Sequence, residues 1–356
     1  MKILHSADWH LDAPLQGFSP EQTAQVKQAL LTIPRQLAEL CRREQCDLVF
    51  LAGDLFDKAY TKQSYQAVYK ACEEMAVPVF IAPGNHDYIS DSSPYVREVW
   101  PENVHIFTSP ALTSVVLPQL DARVWGAGFT AMDCPALLEG FRAEGGEAYQ
   151  LGILHGDPTQ ANSPYCPITK KQVLSSGLSY LAVGHIHKGD QFTAGQTLCA
   201  WPGCPMGRGY DELGQKGALL VTLEDTAKAC FLPLEGPQFF DLTVEAGDDG
   251  AYALSSVLPP VGNADFYRIT FTGHSTPLDL PALQKEYSHF PNLTLRDETL
   301  PPLDIWRTVN EDSLEGQYFT LLQEALEHAD GETARQILLA AKLSRQILDG
   351  QEVVLP

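Results

Sequence analysis

Two histidines stand two residues apart in the segment LAVGHIHKGD, directly after an apolar run. The run over residues 180–183 has strand character, and Gly184 ends it. Side chains alternate across a strand but diverge in the loop that follows it, so His185 and His187 can address two neighbouring metal ions rather than one. The spacing therefore indicates a binuclear metal site, provided that other segments supply further ligands.

Four other segments carry carboxylates, imidazoles or an amide directly after short apolar runs. Loops at the carboxyl ends of strands are where layered α/β folds place functional groups. The four segments are Asp8-x-His10, Gly53-Asp54-x-x-Asp57, Gly84-Asn85-His86-Asp87 and His155-Gly156-Asp157. With the histidine pair, five segments are therefore expected to converge on one site.

The order of these motifs resembles that of the calcineurin-like metallophosphoesterases, whose signature runs D-x-H, G-D-x-x-D, G-N-H-[DE], a later His and then G-H-x-H. The stretches HSADWHLDAPL at the start and WPGCPMGRGYDELGQKGALLV at 201–221 look like the SbcD group of DNA-repair nuclease subunits, and most of all like its YhaO-like branch. The resemblance implies a metal-dependent DNA nuclease, acting as a 3′-5′ exonuclease and single-strand endonuclease. Its implied partners are DNA and an SMC-like ATPase subunit of the SbcC/YhaN type.

The resemblance also implies which residues hold the two divalent ions. The first metal would bind Asp8, His10, Asp54 and His187, and the second would bind Asp54, Asn85, His155 and His185, so that Asp54 bridges them. Two carboxylates against two dications leave a net charge of about +2, which suits an anionic phosphodiester. Mixed nitrogen and oxygen ligands suit Mn²⁺, Fe²⁺ or Zn²⁺ better than Mg²⁺ or Ca²⁺, and Mn²⁺ is the family expectation.

Further polar residues in these motifs are expected to assist the reaction. His86 is the candidate general acid, because an imidazole can carry a transferable proton at neutral pH. The alternative is that His86 only orients Asp54 or a phosphate oxygen. Asp57 and Asp87 are expected to contact the ligand residues rather than the metals, and Asp157 is expected to fix its own loop. Arg208 either contacts a phosphate or stabilises its loop.

The charge of the chain bears on its substrate. The net charge is −21, and residues 236–356 contain 19 acidic and 7 basic residues, which leaves −9 for residues 1–235. A protein that binds duplex DNA without a partner protein usually has a basic face. The charge therefore keeps a second hypothesis open, a stand-alone metallophosphodiesterase or phosphatase acting on a small nucleotide or phosphoprotein. A third hypothesis is an assembly subunit that has lost activity, although degenerate members usually lose ligands.

The cysteines and the apolar runs indicate the cellular compartment. The eight cysteines contain no C-x-x-C pair, so reduced thiols are expected rather than zinc ligands or disulfides. No apolar run approaches the ~18 residues that span a bilayer, and the amino terminus leads directly into a strand and a ligand rather than into a cleavable leader. A cytoplasmic protein without membrane contact is predicted, and the sequence leaves a homodimer open.

The elements that must position the site form an α/β pattern. Strands near 2–6, 47–52 and 77–82 alternate with helices over 20–43 and 62–75, and Pro34 should kink or divide the first helix. This alternation predicts parallel strands covered by helices. Strands over 104–107, 112–117 and 123–128 suggest antiparallel pairing, and a helix is predicted over 135–144. The sum is a two-sheet metallophosphoesterase sandwich flanked by helices.

Three parts are predicted along the chain. Residues 1–235 form the metallophosphoesterase nuclease domain, and 236–302 form a small α/β unit with strands at 238–245, 266–272 and 293–296. The resemblance implies that this unit is a capping domain. Residues 303–356 contain two amphipathic helices, 312–328 and 332–348. They either pack on their own domain as a helical hairpin or, as the resemblance to SbcD-type subunits implies, dock on the coiled-coil base of the SMC-like ATPase.

Overall fold

The computed structural model describes residues 1–247, 249–300, 304–307 and 312–350. The chain forms two compact units, Met1–Asp241 with Ala264–Tyr267, and Leu242–Asn263 with Arg268–Pro356. The division into three functional parts stays a prediction, and its second boundary, at residues 302 and 303, lies outside the described residues.

The described residues form three β-sheets. The strands are β1 (Lys2–Ser6), β2 (Leu48–Leu51), β3 (Val79–Ile81), β4 (Val104–Ile106), β5 (Thr113–Leu117), β6 (Ala122–Gly126), β7 (Tyr149–His155), β8 (Tyr180–Gly184), β9 (Lys188–Ala194), β10 (Thr197–Gly203), β11 (Gly217–Leu223), β12 (Ala227–Pro233), β13 (Phe239–Glu245), β14 (Phe266–Thr272) and β15 (Leu293–Asp297). The strand orders are β12-β11-β1-β2-β3-β4, β5-β6-β7-β8-β10-β9 and β13-β14-β15.

Helices connect these strands and cover the sheets. They are α1 (Pro20–Leu30), α2 (Ile33–Glu44), α3 (Lys62–Met75), α4 (Pro94–Arg97), α5 (Lys170–Ser175), α6 (Gly250–Val257), α7 (Leu280–Glu286), α8 (Leu314–Glu327) and α9 (Gly331–Leu348). Within the described ranges, none of them is both long and apolar enough to cross a membrane.

The parallel strands bring the predicted site segments to common sheet edges. β1, β2 and β3 run parallel, with Ser6 beside Leu51 and Leu51 beside Ile81. β7 and β8 also run parallel, with His155 beside Gly184. Because parallel strands end at the same edge of a sheet, the loops after these five strands emerge in two neighbouring groups.

The core of the first unit lies between and outside the two six-stranded sheets. Phe50, Phe80 and Ile153 belong to one buried cluster formed by strands of both sheets. A second cluster packs α2 and α3 against the outer face of the first sheet, with Leu37 and Val68 fully buried. Each large apolar side chain buried in this way contributes about 1.5–3 kcal/mol. The two-sheet α/β sandwich flanked by helices is therefore confirmed.

The division of the first helical stretch follows from its sequence. Ser19 caps α1 in a capping box with Gln22, and Pro34 stands in the first turn of α2, where a missing N–H costs nothing. Gln45 ends α2 in the left-handed conformation. The expectation that Pro34 divides this stretch is confirmed.

Two sequence expectations for residues 104–144 are wrong. β4 pairs with β3 in parallel and β6 pairs with β7 in parallel, so that only β5 and β6 make an antiparallel pair here. Residues 135–144 contain turns rather than a helix. Gly140 has φ +70°, and Cys134 forms a β-bridge with Tyr165. Leu138 is buried in a core cluster from this irregular segment, so its apolar side chain contributes to packing without helical structure.

The second unit contains most of the third sheet and the two carboxyl-terminal helices. Asp249 and Asp279 cap α6 and α7, while Ser313 and Asp330 cap α8 and α9 with side-chain oxygens. α8 and α9 pair with each other. The three strands of this sheet and the two carboxyl-terminal helices match the predicted ones, apart from ends that differ by one or two residues.

Candidate metal centre

The loops of the site have a strained backbone. Four of the predicted ligands have positive φ angles, namely Asp8 at 57°, His10 at 46°, Asp54 at 51° and His185 at 97°. Such angles are uncommon for residues other than glycine and cost about 1–3 kcal/mol each. Backbone hydrogen bonds between the loops offset this cost, from Asp8 N to Gly53 O at 3.0 Å and from His10 N to Asp54 O at 2.9 Å.

One group of predicted ligands gathers around His10. The Nε2 atoms of His10 and His187 lie 3.1 Å apart, and His10 Nε2 lies 3.6 Å from Asp54 Oδ2. Asp8 is fully buried and accepts hydrogen bonds from the backbone N–H of His185 at 2.8 and 3.1 Å. Asp8, His10 and His187 form one cluster whose donor atoms all lie within 4.8 Å of one another.

A second group gathers around Asn85. Its Oδ1 lies 3.0 Å from His155 Nε2 and 3.2 Å from His185 Nδ1, and His155 Nε2 lies 3.4 Å from Asp54 Oδ2. Two further clusters of this kind occur among the described residues, one of His10, Asp54 and His86 and one of Asp8, Asp54 and His155. His185 belongs to none of the three clusters and joins the site through Asn85. All seven predicted ligands are thus brought together, with Asp54 next to both groups, and their assignment to particular metals stays a prediction.

Burial keeps two of the imidazoles neutral. Burial lowers the pKa of His10 well below its ordinary value and lowers that of His185 to about 4. A neutral imidazole presents a nitrogen lone pair, which is the form that binds metals. Both histidines are therefore in the ligand form at neutral pH.

The site attracts positive charge. Burial acts to lower the pKa of His155, but the Asp54 carboxylate outweighs it and raises that pKa to about 9. Burial raises the pKa of Asp8 to about 6, against the lowering effect of His155. The carboxylates therefore stabilise a positive charge between them, even at this depth.

A divalent cation fits the position between His155, Asp54 and Asn85. His155 Nδ1 lies 2.9 Å from Ala52 O, and a carbonyl oxygen can only accept, so Nδ1 carries a proton. When Nε2 carries none, its lone pair turns toward the oxygens of Asp54 and Asn85, so that three electron-pair donors converge. A cation satisfies all of them together, which is the arrangement that metal-binding histidines show.

His86 forms a pair with Asp57 beside the first group. Its Nδ1 donates to Asp57 Oδ1 at 2.7 Å, and its backbone N–H donates to Asp54 Oδ1 at 2.9 Å. The ring of His86 lies 4.7 Å from that of His10, and its side chain is 37% exposed. His86 also lies in a cluster with His10 and Asp54 whose ligand atoms are within 4.8 Å of one another, so it is held next to the predicted ligands with its side chain partly exposed.

Asp87 anchors two of the site loops. Its carboxylate accepts hydrogen bonds from four backbone N–H groups and from the Tyr95 hydroxyl at 2.6 Å; the backbone donors are those of Asp54, Leu55, Phe56 and Gly84. Asp157 accepts three hydrogen bonds from Thr159 and Gln160 within its own loop. Both side chains hold loops rather than point into the metal site.

Glu212 is a site residue that the motif analysis missed. It is 4% exposed, and its Oε1 accepts a hydrogen bond from His187 Nδ1 at 2.6 Å. Arg208 binds the same carboxylate through Nη2 at 2.6 Å and Nε at 3.2 Å. Burial would raise the pKa of Glu212, but its bonds to His187 and Arg208 lower it well below the usual range. Arg208 is thus bound within its own loop, as the second of its two predicted roles requires, and its contact with a phosphate stays a prediction.

The comparison with known families agrees with this geometry. Residues 1–189 match the calcineurin-like phosphoesterase family. The chain belongs to this family. The match contains all five site segments. The family assignment and the convergence of the seven predicted ligands therefore concern the same residues.

Two curated relatives each align with somewhat less than two thirds of the chain. The chain is 32% identical over 234 residues to the uncharacterized metallophosphoesterase YhaO of Bacillus subtilis, covering 62% of this chain and 57% of that protein. It is 24% identical over 271 residues to the SbcD component of the nuclease SbcCD from the same organism, covering 63% and 66%. The chain thus spans less than two thirds of the length of either relative.

Solved structures also resemble the chain. A dimetal phosphatase from Danio rerio is 13% identical with a TM-score of 0.42, covering 64% of this chain and 95% of that one. TT1561 of Thermus thermophilus is 15% identical with a TM-score of 0.40, covering 65% and 98%.

Proposed function

We propose that the protein hydrolyses phosphodiester bonds of DNA with two divalent metal ions. The observation that carries this proposal is the convergence of seven donor side chains, only two of them carboxylates, next to the partly exposed side chain of His86. Two dications on such a site carry a net charge of about +2, which attracts a phosphodiester anion. The identity to a component of a nuclease, 24% over 271 residues, supports DNA as the substrate.

The proposed ligands are the seven converging residues. Asp8, His10, Asp54 and His187 hold one ion, and Asp54, Asn85, His155 and His185 hold the other. When bound, the ions supply Lewis-acid polarisation of the phosphate and activation of water. The nitrogen and oxygen donors favour Mn²⁺, with Fe²⁺ and Zn²⁺ as the alternatives that a metal analysis separates.

The protein's own groups then move the proton and keep the geometry. His86 donates a proton from Nε2 to the leaving oxygen, and Asp57 holds Nδ1 so that Nε2 faces the substrate. Glu212 accepts from His187 Nδ1 and turns the Nε2 lone pair toward His10. Asp54 takes part as the ligand shared by both groups.

The partner is proposed to be an SMC-like ATPase that docks on the carboxyl-terminal helices. α8 and α9 leave a groove of about 420 Å³ lined by Leu314, Tyr318, Ile347 and Leu348. Leu314 is 87% exposed and Ile347 is 63% exposed. Exposed apolar side chains in one groove are typical of a surface that a partner helix covers. Residues 236–302 are proposed to form the capping domain, and 351–356 of the tail lie outside the described residues.

A nuclease assay on metal-stripped and reloaded protein tests the proposed activity. With Mn²⁺, the wild type should release nucleotides from end-labelled DNA, and Asp54→Asn should remove this activity while its circular dichroism stays that of the folded wild type. Activity of Asp54→Asn equal to that of the wild type would refute the shared-ligand assignment. Failure of the reloaded wild type to cleave DNA, with and without the ATPase, would refute the DNA proposal.

The charge of the chain favours a second candidate function. A net charge of −21 opposes unaided binding of long DNA, so a stand-alone phosphodiesterase or phosphatase for a small nucleotide or phosphoprotein is the alternative. Cleavage of bis(p-nitrophenyl) phosphate or p-nitrophenyl phosphate without any cleavage of DNA would favour it. Co-purification with the ATPase that is lost in Ile347→Asp, but kept in Val99→Asp, would favour the DNA-repair assembly.

A further inference from the structure

A pocket opens beside the metal centre between the edge strands of the two large sheets. It has a volume of about 440 Å³ and is lined by His187, β9, β10, the loop before β11, and β12. β9 and β12 are each the last strand of their sheet. His187 is the one predicted ligand that lines this pocket, and its Nε2 lies 3.1 Å from His10 Nε2, so the pocket adjoins the metal centre.

Two lysines give the pocket a positive charge in an acidic protein. Lys188 and Lys216 both line it, together with one carboxylate, Asp190. Asp190 accepts a hydrogen bond from the backbone of Gln191 at 2.8 Å. Among the described residues, neither lysine forms an ion pair. The two ammonium groups are therefore available to an anionic ligand, although the chain as a whole carries a charge of −21.

The pocket also presents exposed apolar side chains. Phe231 is 43% exposed and Leu213 is 45% exposed, whereas Trp201 is 5% exposed and donates from Nε1 to Lys188 O at 3.0 Å. Trp201 thus forms a fixed wall, while Phe231 leaves part of its ring to solvent. An exposed aromatic ring near basic side chains is how proteins bind single-stranded nucleic acid, with bases stacked on the ring and phosphates near the cations.

We propose that this pocket is a nucleotide subsite that binds the residue of a DNA strand next to the scissile phosphodiester. The base packs on Phe231 and Leu213, and the adjoining phosphate lies between Lys188 and Lys216. The inference rests on the proposed phosphodiesterase function and specifies its substrate as a polymer rather than a phosphate monoester. A pocket of this size lies within the range of ~300–1,000 Å³ that small-molecule groups fill.

Binding of a labelled 12-nucleotide single strand, measured by fluorescence anisotropy, tests the subsite without relying on turnover. Lys216→Gln and Phe231→Leu should each weaken binding about fivefold or more. Lys228→Gln is the matched control, because Lys228 is an exposed lysine of β12 that does not line the pocket. Affinity decreases with salt concentration, and the slope of log affinity against log salt should become shallower by about 0.7 in Lys216→Gln and stay unchanged in Phe231→Leu.

Kinetics with two substrates provide the second readout. The ratio of kcat/KM for the oligonucleotide to that for bis(p-nitrophenyl) phosphate should fall about fivefold or more in the subsite variants and stay at the wild-type value in Lys228→Gln. Equal binding of the strand by all variants, or no binding by the wild type, overturns the subsite even if the small diester is hydrolysed.

Two further outcomes distinguish failure of the proposed subsite from failure of the proposed hydrolytic function. Weakened strand binding in the subsite variants, with no hydrolysis of any diester by the reloaded wild type, supports the subsite and refutes the proposed function. Loss of affinity for a phosphoserine peptide but not for the strand would assign the pocket to a phosphoprotein and overturn the nucleotide assignment.

Discussion

Glu212 accepts a hydrogen bond from His187 Nδ1 at 2.6 Å while the same carboxylate binds the Arg208 guanidinium. A carboxylate in this position fixes the tautomer of the imidazole and the direction of its ring. His187 Nε2 is thereby aimed at His10, 3.1 Å away. Glu212 is thus a positioning residue, because it acts on the predicted metal centre through His187 rather than as a ligand itself.

We expect Glu212→Gln to weaken metal binding by about 10–100-fold, the usual loss when a carboxylate behind a metal-binding histidine is replaced. Glutamine keeps the volume but removes the charge that stabilises the His187 proton and the Arg208 ion pair. Titration of metal-stripped protein with Mn²⁺ measures this loss. Glu224→Gln, an exposed site with the same change, should bind as the wild type does, and equal affinities in the two variants would contradict the positioning role.

His86→Asn should separate proton donation from metal binding. If His86 protonates the leaving oxygen, kcat for DNA, whose leaving alkoxide is poor, should fall about 10²–10⁴-fold. Hydrolysis of bis(p-nitrophenyl) phosphate should fall far less, because nitrophenolate leaves without a proton. Metal content should remain at the wild-type level. An equal loss for both substrates would instead favour the alternative, in which His86 orients Asp54 or a phosphate oxygen.

The motif residues were predictable because their chemistry and their position agree. Asp8, Asp54 and His185 each follow an apolar strand, and the parallel pairing of those strands forces the loops to common edges. Glu212 was not predictable in this way, since it stands 25 residues after His187 in a loop and is one of 45 acidic residues. The one sequence feature that could have indicated Glu212 is its i, i+4 spacing from Arg208 in the segment RGYDE, which is the spacing of an ion pair.

The wrong helix at 135–144 has a different origin. Leu137, Leu138 and Phe141 have the spacing of a helical face, and all three do pack on a core cluster. They do so from turns, because Gly140 adopts a left-handed backbone and Cys134 pairs with Tyr165. The periodicity of apolar residues indicates which side chains are buried, whereas tertiary contacts determine the backbone conformation of so short a segment. The parallel pairing of the three-residue strand β4 likewise depends on its neighbour β3.

Gly84→Ala should disable the site without replacing a ligand. A Cβ at this position would clash with Asp54 Oδ1 and would lie 2.8 Å from His155 Nδ1. Both side chains would have to move, and misplacement by about 1 Å is enough to lose coordination geometry. We expect loss of bound Mn²⁺ by elemental analysis. Gly146→Ala, where a Cβ would meet no atom within 4 Å, is the control and should keep its metal. Full metal occupancy in Gly84→Ala would contradict the tight packing of this loop on the ligands.

Asp87→Asn should destabilise the first unit by about 2–4 kcal/mol, because an amide NH₂ would face N–H donors that the buried carboxylate now accepts. Tyr95→Phe removes a single hydrogen bond to the same carboxylate and should cost less, about 1–1.5 kcal/mol. Urea unfolding in the absence of metal measures both. A larger cost for Tyr95→Phe than for Asp87→Asn would contradict the view that Asp87 anchors the loops chiefly through backbone donors.

Arg345→Met should loosen the helical hairpin that is proposed to bind the ATPase. Arg345 is 1% exposed, its Nη1 lies 2.5 Å from Glu315 Oε1, and its guanidinium lies 4.2 Å from the centre of the Phe319 ring. Methionine keeps the apolar stem but leaves Glu315, whose side chain is 29% exposed, without its ion-pair partner, and loss of such a charged hydrogen bond typically costs about 1.5–3 kcal/mol. Hydrogen exchange in α8 and α9 should therefore accelerate, while β1 and β2 stay protected. The exposed Arg335→Met on the same helix should exchange as the wild type does, and equal protection in both variants would show that the Arg345–Glu315 ion pair does not hold the hairpin.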